Sequence, residues 1–232
     1  RIKIWVKNNR IESFFLALIL LLAAFLRFYK IDEYLTFLGD EGRDVMIVRR
    51  LLVNFDPILI GPGTSIGNMY LGPLYYYLMA PALLLFGLNP VGPAVMIALL
   101  GIATIFLVWY ISRDWFGKWA GLIAGSLYAV SPTVIILSRS SWNPYIMPFF
   151  SLLAIYSIWR VWFRREWKWL IVLGISFAFV LQSHYLSLIL APVIILFWFL
   201  SFKSVISKQQ SVNSFLKFSV SALVIFLILM SP

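Results

Sequence analysis

The stretch "FLGDEGRD", residues 37–44, sets Asp40, Glu41 and Asp44 around Arg43 in a chain where only 12% of residues are charged. Carboxylates this close can serve as acid or base. They can also offer oxygens to a divalent metal, although no spacing here dictates one. A plainer use is equally open. Asp40 stands where a helix N-cap would, and acids favour the positive end of a helix, so Asp40 could cap while Glu41 complements the dipole. A short motif alone does not choose between these readings.

Further polar candidates are scattered along the chain. Tyr70 and Tyr75 belong to the glycine- and proline-rich "GPGTSIGNMYLGPLYYYLMAP", where tyrosines suit an interface with the ring in lipid and the hydroxyl in water. Arg139 and Asn143 lie in "SRSSWNP". Gln182 and His184, the sole histidine, lie in "QSHY". A lone histidine at a helix end is most often a hydrogen-bonded structural residue, yet polar groups facing a cavity at membrane depth are commonly functional. Cysteine is absent, which excludes disulfides and thiolate metal sites.

The elements that must carry these residues are helices in a membrane. The chain is 62% hydrophobic, and several windows of about 17–21 residues are almost free of charge, enough to cross a hydrocarbon core of roughly 30 Å. The expected fold is an all-α polytopic bundle of about seven spans, near 11–28, 91–111, 119–137, 145–163, 167–184, 186–202 and 214–231. The net charge of +10 is dispersed in short clusters between apolar runs, so no nucleic-acid partner is expected. The first apolar run lacks a small-residue cleavage site and reads as a span. With Arg1 at one end and an apolar segment at the other, the chain reads as the N-terminal part of a longer protein, here a single transmembrane domain over 1–232.

Orientation turns on residues 74–87, fourteen residues with Pro81 near the middle. As a helix they would measure about 21 Å, too short to span. If they lie in the outer interface, 13 of the 19 basic residues fall on the cytoplasmic side with the N-terminus, against five if they span. The non-spanning arrangement predicts a plasma (inner) membrane protein with a cytoplasmic N-terminus and a long first external loop, residues 29–90. Six of the nine acids then fall in that loop. Acids hardly influence insertion, so their presence there needs another cause. In the same loop, Val45, Val48 and Leu52 share one helical face, with Arg43, Asp44, Arg49 and Arg50 elsewhere. This pattern predicts an amphipathic juxtamembrane helix lying on the bilayer.

The order of these features resembles the C superfamily of membrane glycosyltransferases (GT-C), in its branch of protein O-mannosyltransferases and lipid A aminoarabinose transferases. The features are an external Asp-Glu after the first span, a juxtamembrane helix, "PLYYYLMAP", then "SRDWFGKWAGLIAGSLYAVSP" and a short loop with Arg139 and "WNP". The resemblance runs through nearly the whole chain. It implies inverting transfer, at the external face, of a sugar carried on a polyprenyl phosphate to a protein, lipid or glycan acceptor. Asp40 would be the base, assisted by Glu41. Arg43, Asp44, Tyr70, Tyr75, Arg139, Asn143, Gln182 and His184 would bind substrate.

Three positions depart from the aminoarabinose pattern. A lysine is replaced by Gly72, a tyrosine by Asp44, and a second-loop aspartate by Asn143. Lipid A is therefore not the expected acceptor. Arg139, the one base of the second external loop, would take over the phosphate, since a guanidinium can make two parallel bonds to it. No metal ligand set and no cofactor is assigned. The competing reading is a transporter or lipid flippase, which would more often place ionisable residues inside spans and show inverted repeats.

Overall fold

The computed structural model describes residues 2–207 and 212–231, and among them the regular structure is helical with no strand. Arg1 and Lys208, both counted in the charge argument, lie outside the described residues. Among the described residues, five stretches are long and apolar enough to cross a membrane: Arg10–Phe28, Val91–Phe116, Asn143–Arg164, Tyr185–Ser207 and Val212–Met230. The protein is a multi-pass integral membrane protein. The other two expected spans are shorter helices, for reasons that can be read locally. The chain divides into two compact units, one of residues up to Val45 with Pro81–Tyr145, the other of Met46–Ala80 with residues from Ile146 onward.

The first unit begins with α1 (Ile2–Asn8), α2 (Arg10–Phe28) and the short α3 (Ile31–Tyr34), and its opening turn of α4 (Gly39–Asn54) follows. The end of α5 (Leu74–Leu85) leads into α6 (Val91–Phe116), α7 (Lys118–Val130) and α8 (Pro132–Leu137). Gly117, at φ 93°, turns α6 back into α7. Small residues at this crossing let the backbones approach closely, as lipid-embedded helices require when no hydrophobic effect drives them together. Leu16, Ala23, Ile105, Trp109, Leu122 and Ala129 are buried where α2, α6 and α7 meet. The expected span 119–137 is broken because Pro132 disfavours helical geometry at Ser131, which is extended at φ −60° and ψ 119°.

Two buried ion sites tie this unit together. Glu12, almost fully buried, accepts from Arg113 Nε at 2.6 Å, and the same guanidinium lies over the Trp5 ring. Arg27, in the last turn of α2, has no exposed surface. Its Nη1 donates to the carbonyls of Ala23 and Ala129, both at 3.2 Å. The Ala129 carbonyl belongs to the last turn of α7, whose helical partners are lost at the break. Arg27 thus supplies a donor where the chain interrupts its own helix.

In the second unit α10 (Trp169–Ser183) packs between α9 (Met147–Arg164) and α12 (Val212–Met230), and α11 (Leu190–Ser207) lies against α9 and α12. Ala154, Ile158, Leu173, Val205, Phe215 and Ala222 form its core with Trp167, Trp198 and Phe202. The turn between α9 and α10 is closed by Glu166, which pairs with Arg160 and accepts from Trp169 Nε1 at 2.8 Å.

The stretch 74–87 yields α5, whose twelve residues amount to about 18 Å of helix. The amphipathic helix expected around 45–52 is present as α4, but its apolar face points elsewhere than expected. Val45 and Val48 are buried in the protein, while Met46, Arg49, Arg50 and Val53 form the exposed side. The hydrophobic periodicity reported a buried face without saying whether lipid or protein covers it.

Candidate active site

The start of α4 corrects the capping assignment. The helix begins at Gly39, so Asp40 is inside the first turn and Leu38 precedes it. Glu41 reaches back to accept from the Leu38 N–H at 3.1 Å, the carboxylate half of a capping box. Glu41 is 5% exposed and does the capping that the sequence suggested for Asp40. Asp40 keeps half its side chain in the open. Its Oδ1 accepts from Arg43 Nη1 at 2.8 Å, and its Oδ2 has no hydrogen bond among the described residues. Arg43 also turns to Asp44, placing Nη2 at 2.7 Å and Nε at 2.9 Å from Asp44 Oδ1. Asp44 itself is completely buried.

The second loop of this unit is joined to the first. Arg139 donates through Nη2 to the Tyr29 carbonyl and its guanidinium lies 4.8 Å from the centre of the Tyr34 ring. Its Nε is buried with no hydrogen-bond partner among the described residues. Ser140 Oγ donates to the Thr36 carbonyl at 2.8 Å. Ser138, Ser141 and Asn143 are buried alongside, and Tyr145 is close enough to Glu41 to feel its charge. Sequence reasoning picked Arg139 and Asn143 here and missed Tyr145, Ser140 and, at the end of α2, Arg27. Arg27 had a signal, being an ionisable residue at the edge of an apolar run.

The remaining candidates belong to the second unit, where they are drawn into packing. Gln182, 1% exposed, accepts from the Leu74 N–H at 3.2 Å through Oε1 and donates through Nε2 to the Leu229 carbonyl at 2.6 Å. It ties the start of α5 to α10 and α12. A Cβ on Gly72 would fall on the Gln182 Oε1 atom, so a side chain there, such as the lysine of the aminoarabinose pattern, would require Gln182 to move from these bonds. Gly61 is needed more strictly, because a Cβ there would run into the Gly72 backbone carbonyl. Tyr70 is exposed beside Gly63 in the loop, and Tyr75 is buried. His184 Nδ1 accepts from the Leu186 N–H at 3.2 Å and the ring stacks on Tyr185, capping the 3₁₀ turn Tyr185–Ile189.

Among the described residues, no three His, Asp or Glu side chains converge as a metal site. Asp40 and Asp44 are instead drawn to Arg43. What the start of α4 offers chemically is an accessible carboxylate oxygen on Asp40, backed by the Arg43 guanidinium.

Residues 71–232 match the family described as dolichyl-phosphate-mannose-protein mannosyltransferase. Among curated proteins, the chain is 24% identical over 215 residues to YkcB of Bacillus subtilis (strain 168), a protein assigned by name as a mannosyltransferase. The match covers 88% of this chain and 28% of YkcB. The fold is similar to that of the archaeal oligosaccharyltransferase AglB from Archaeoglobus fulgidus, solved with an inhibitory peptide and a dolichol-phosphate. That likeness has a TM-score of 0.71 at 19% identity, over 97% of this chain and 29% of AglB. It is also similar to ArnT from Cupriavidus metallidurans bound to undecaprenyl phosphate, with TM-score 0.62 at 17% identity, over 91% of this chain and 41% of ArnT. The chain thus spans between a quarter and a half of the length of these relatives.

Proposed function

Since the chain belongs to the dolichyl-phosphate-mannose-protein mannosyltransferase family, we propose that it carries the acceptor-activating part of a membrane mannosyltransferase. The donor is a sugar on a polyprenyl phosphate, and both solved relatives hold a polyprenyl phosphate. The observation that carries the reading is the open Oδ2 of Asp40, on a helix start whose loop is bonded to the Ser138–Tyr145 segment. An acceptor hydroxyl is a weak nucleophile. As its oxygen bonds the anomeric carbon, Asp40 takes its proton and the bond from that carbon to the phosphate oxygen breaks with inversion. The leaving lipid phosphate departs as an anion and needs cationic donors rather than an acid. Arg139, the one base of the second external loop, is the cation for this role, since a guanidinium can make two parallel bonds to a phosphate.

Glu41 supports Asp40 by fixing the helix start. By the distribution of lysine and arginine, the N-terminus is cytoplasmic and the loop of Asp40 lies on the external face of the plasma (inner) membrane. The test uses membranes containing the complete protein and a labelled polyprenyl-phosphate mannose. Asp40→Asn should lower donor consumption by about 10²–10⁴-fold at equal expression. Wild-type consumption in that variant would reduce Asp40 to a surface residue.

A further inference from the structure

Asp44 is the residue of the "GDEGRD" run that departs from the aminoarabinose pattern, and its placement is unlike that of the other two acids. Exposure falls along a line of three side chains, from Asp40 at 51% through Arg43 at 38% to Asp44 at 0%. Arg43 lies between them and divides its donors unequally. Nη2 and Nε both go to Asp44 Oδ1, at 2.7 and 2.9 Å, and Nη1 alone reaches Asp40 Oδ1 at 2.8 Å. Two carboxylates share one guanidinium.

We infer that Asp44 is a positioning residue that acts through Arg43 to leave one oxygen of Asp40 open. This rests on the reading of Asp40 as the base. A guanidinium matches a carboxylate best in a two-pronged pairing that occupies both oxygens. Arg43, three residues from Asp40 on the same helix face, would close on Asp40 in this way if nothing else held it. Asp44 holds it. A carboxylate with no exposed surface cannot be solvated by water, so its pairing with Arg43 is far less easily given up than an exposed one. The anchor engages Nε and Nη2, the edge of the guanidinium suited to a two-pronged pairing, and Asp40 is reached through Nη1. The result is a carboxylate fixed in direction by one bond, with Oδ2 turned free. A neutral tyrosine at position 44 could not anchor a guanidinium in this way, so the substitution sets how Asp40 is presented in this chain.

The test is a mutant cycle on the complete protein in membranes, measuring kcat and KM for labelled polyprenyl-phosphate mannose. Asp44→Asn should lower kcat by about ten- to a hundredfold, the scale of a misplaced reacting group, with KM for the donor changed less than about twofold. Arg43→Gln frees Asp40 and loses its orientation, for a smaller fall. The double variant Arg43→Gln/Asp44→Asn should be no slower than Asp44→Asn alone, because the harm done by Asn at 44 requires Arg43. Factors that simply multiply would show two independent sites and overturn the inference. So would a rise in KM at unchanged kcat, or wild-type kinetics in Asp44→Asn.

If Asp44→Asn does not accumulate, Arg43→Lys carries the test at a half-exposed position. It keeps the charge but cannot serve two carboxylates at once, and the same loss of kcat is expected. Wild-type kcat in Arg43→Lys would equally overturn the inference. Asp40→Asn run in parallel separates the two levels. An inactive Asp40→Asn beside a fully active Asp44→Asn sinks only the positioning role, whereas an active Asp40→Asn removes the base and the inference together.

Discussion

At the start of α4 and at the end of α10, a few polar side chains sit at the margin of apolar helices, and they use their hydrogen-bonding capacity differently. Gln182 turns both its oxygen and its nitrogen to backbone groups of α5 and α12. The Gln182 side chain also fills the space a Cβ on Gly72 would take. At α4 the acids divide the work: Glu41 caps, Asp44 anchors Arg43, and Asp40 keeps an oxygen with no bond among the described residues. Polarity at a membrane margin therefore does not identify a site. A site is marked by a polar atom that the fold has oriented and left unused.

The contrast can be broken most forcefully at Gly72. Gly72→Lys, which restores the residue of the aminoarabinose pattern, should destabilise the protein by about 2–3 kcal/mol, because the side chain must displace Gln182 from the Leu74 N–H and the Leu229 carbonyl. Loss of monodisperse protein on heating in detergent is the measurement. A stable Gly72→Lys protein would mean that the α10 cluster has room for a ligand. A milder break is Gln182→Leu, which strands the Leu74 N–H and the Leu229 carbonyl. It should lower stability by about 2 kcal/mol while the donor turnover of the surviving protein stays within about threefold. A collapse of turnover without a loss of stability would return Gln182 to the substrate.

The smallest effect sharpens the comparison on the far side of α10. Burial pushes the Glu166 carboxyl up, but the hydrogen bond and charge of Arg160 and the Trp169 N–H outweigh it and hold it below the usual glutamate value. A carboxylate with a lowered folded value contributes stability above its unfolded pKa of about 4.3, and that contribution fades as pH falls through the folded value. At this half-exposed turn it is under about 1 kcal/mol. Thermal denaturation from pH 7 to 3 should show the acid-side decline reduced in Glu166→Gln. An identical decline in both proteins would assign it elsewhere.

Much of this architecture is written locally in the sequence. Apolar windows located the helices to within a few residues, and the length of 74–87 already argued against a span. The break at Ser131 has its signal in Pro132, although the apolar run continues through it. The capping exchange between Asp40 and Glu41 hinges on a shift of one or two residues in where α4 starts, which propensity cannot resolve because either acid suits a first turn. The fate of Gln182 depends on partners 108 and 47 residues away, and that of Arg27 on a carbonyl 102 residues away. Periodicity is blind to contacts at such separations. It is also blind to what covers an apolar face, so the pattern of Val45 and Val48 fits lipid and protein equally.

The most direct test of the central claim sets the two adjacent carboxylates against each other. Donor turnover by the complete protein in membranes, with labelled polyprenyl-phosphate mannose, should fall by about 10²–10⁴-fold in Asp40→Asn. It should stay within about tenfold of wild type in Glu41→Gln, because the amide oxygen can still accept from the Leu38 N–H. A Glu41→Gln protein that is inactive beside an active Asp40→Asn would contradict the account and move the base to the buried residue.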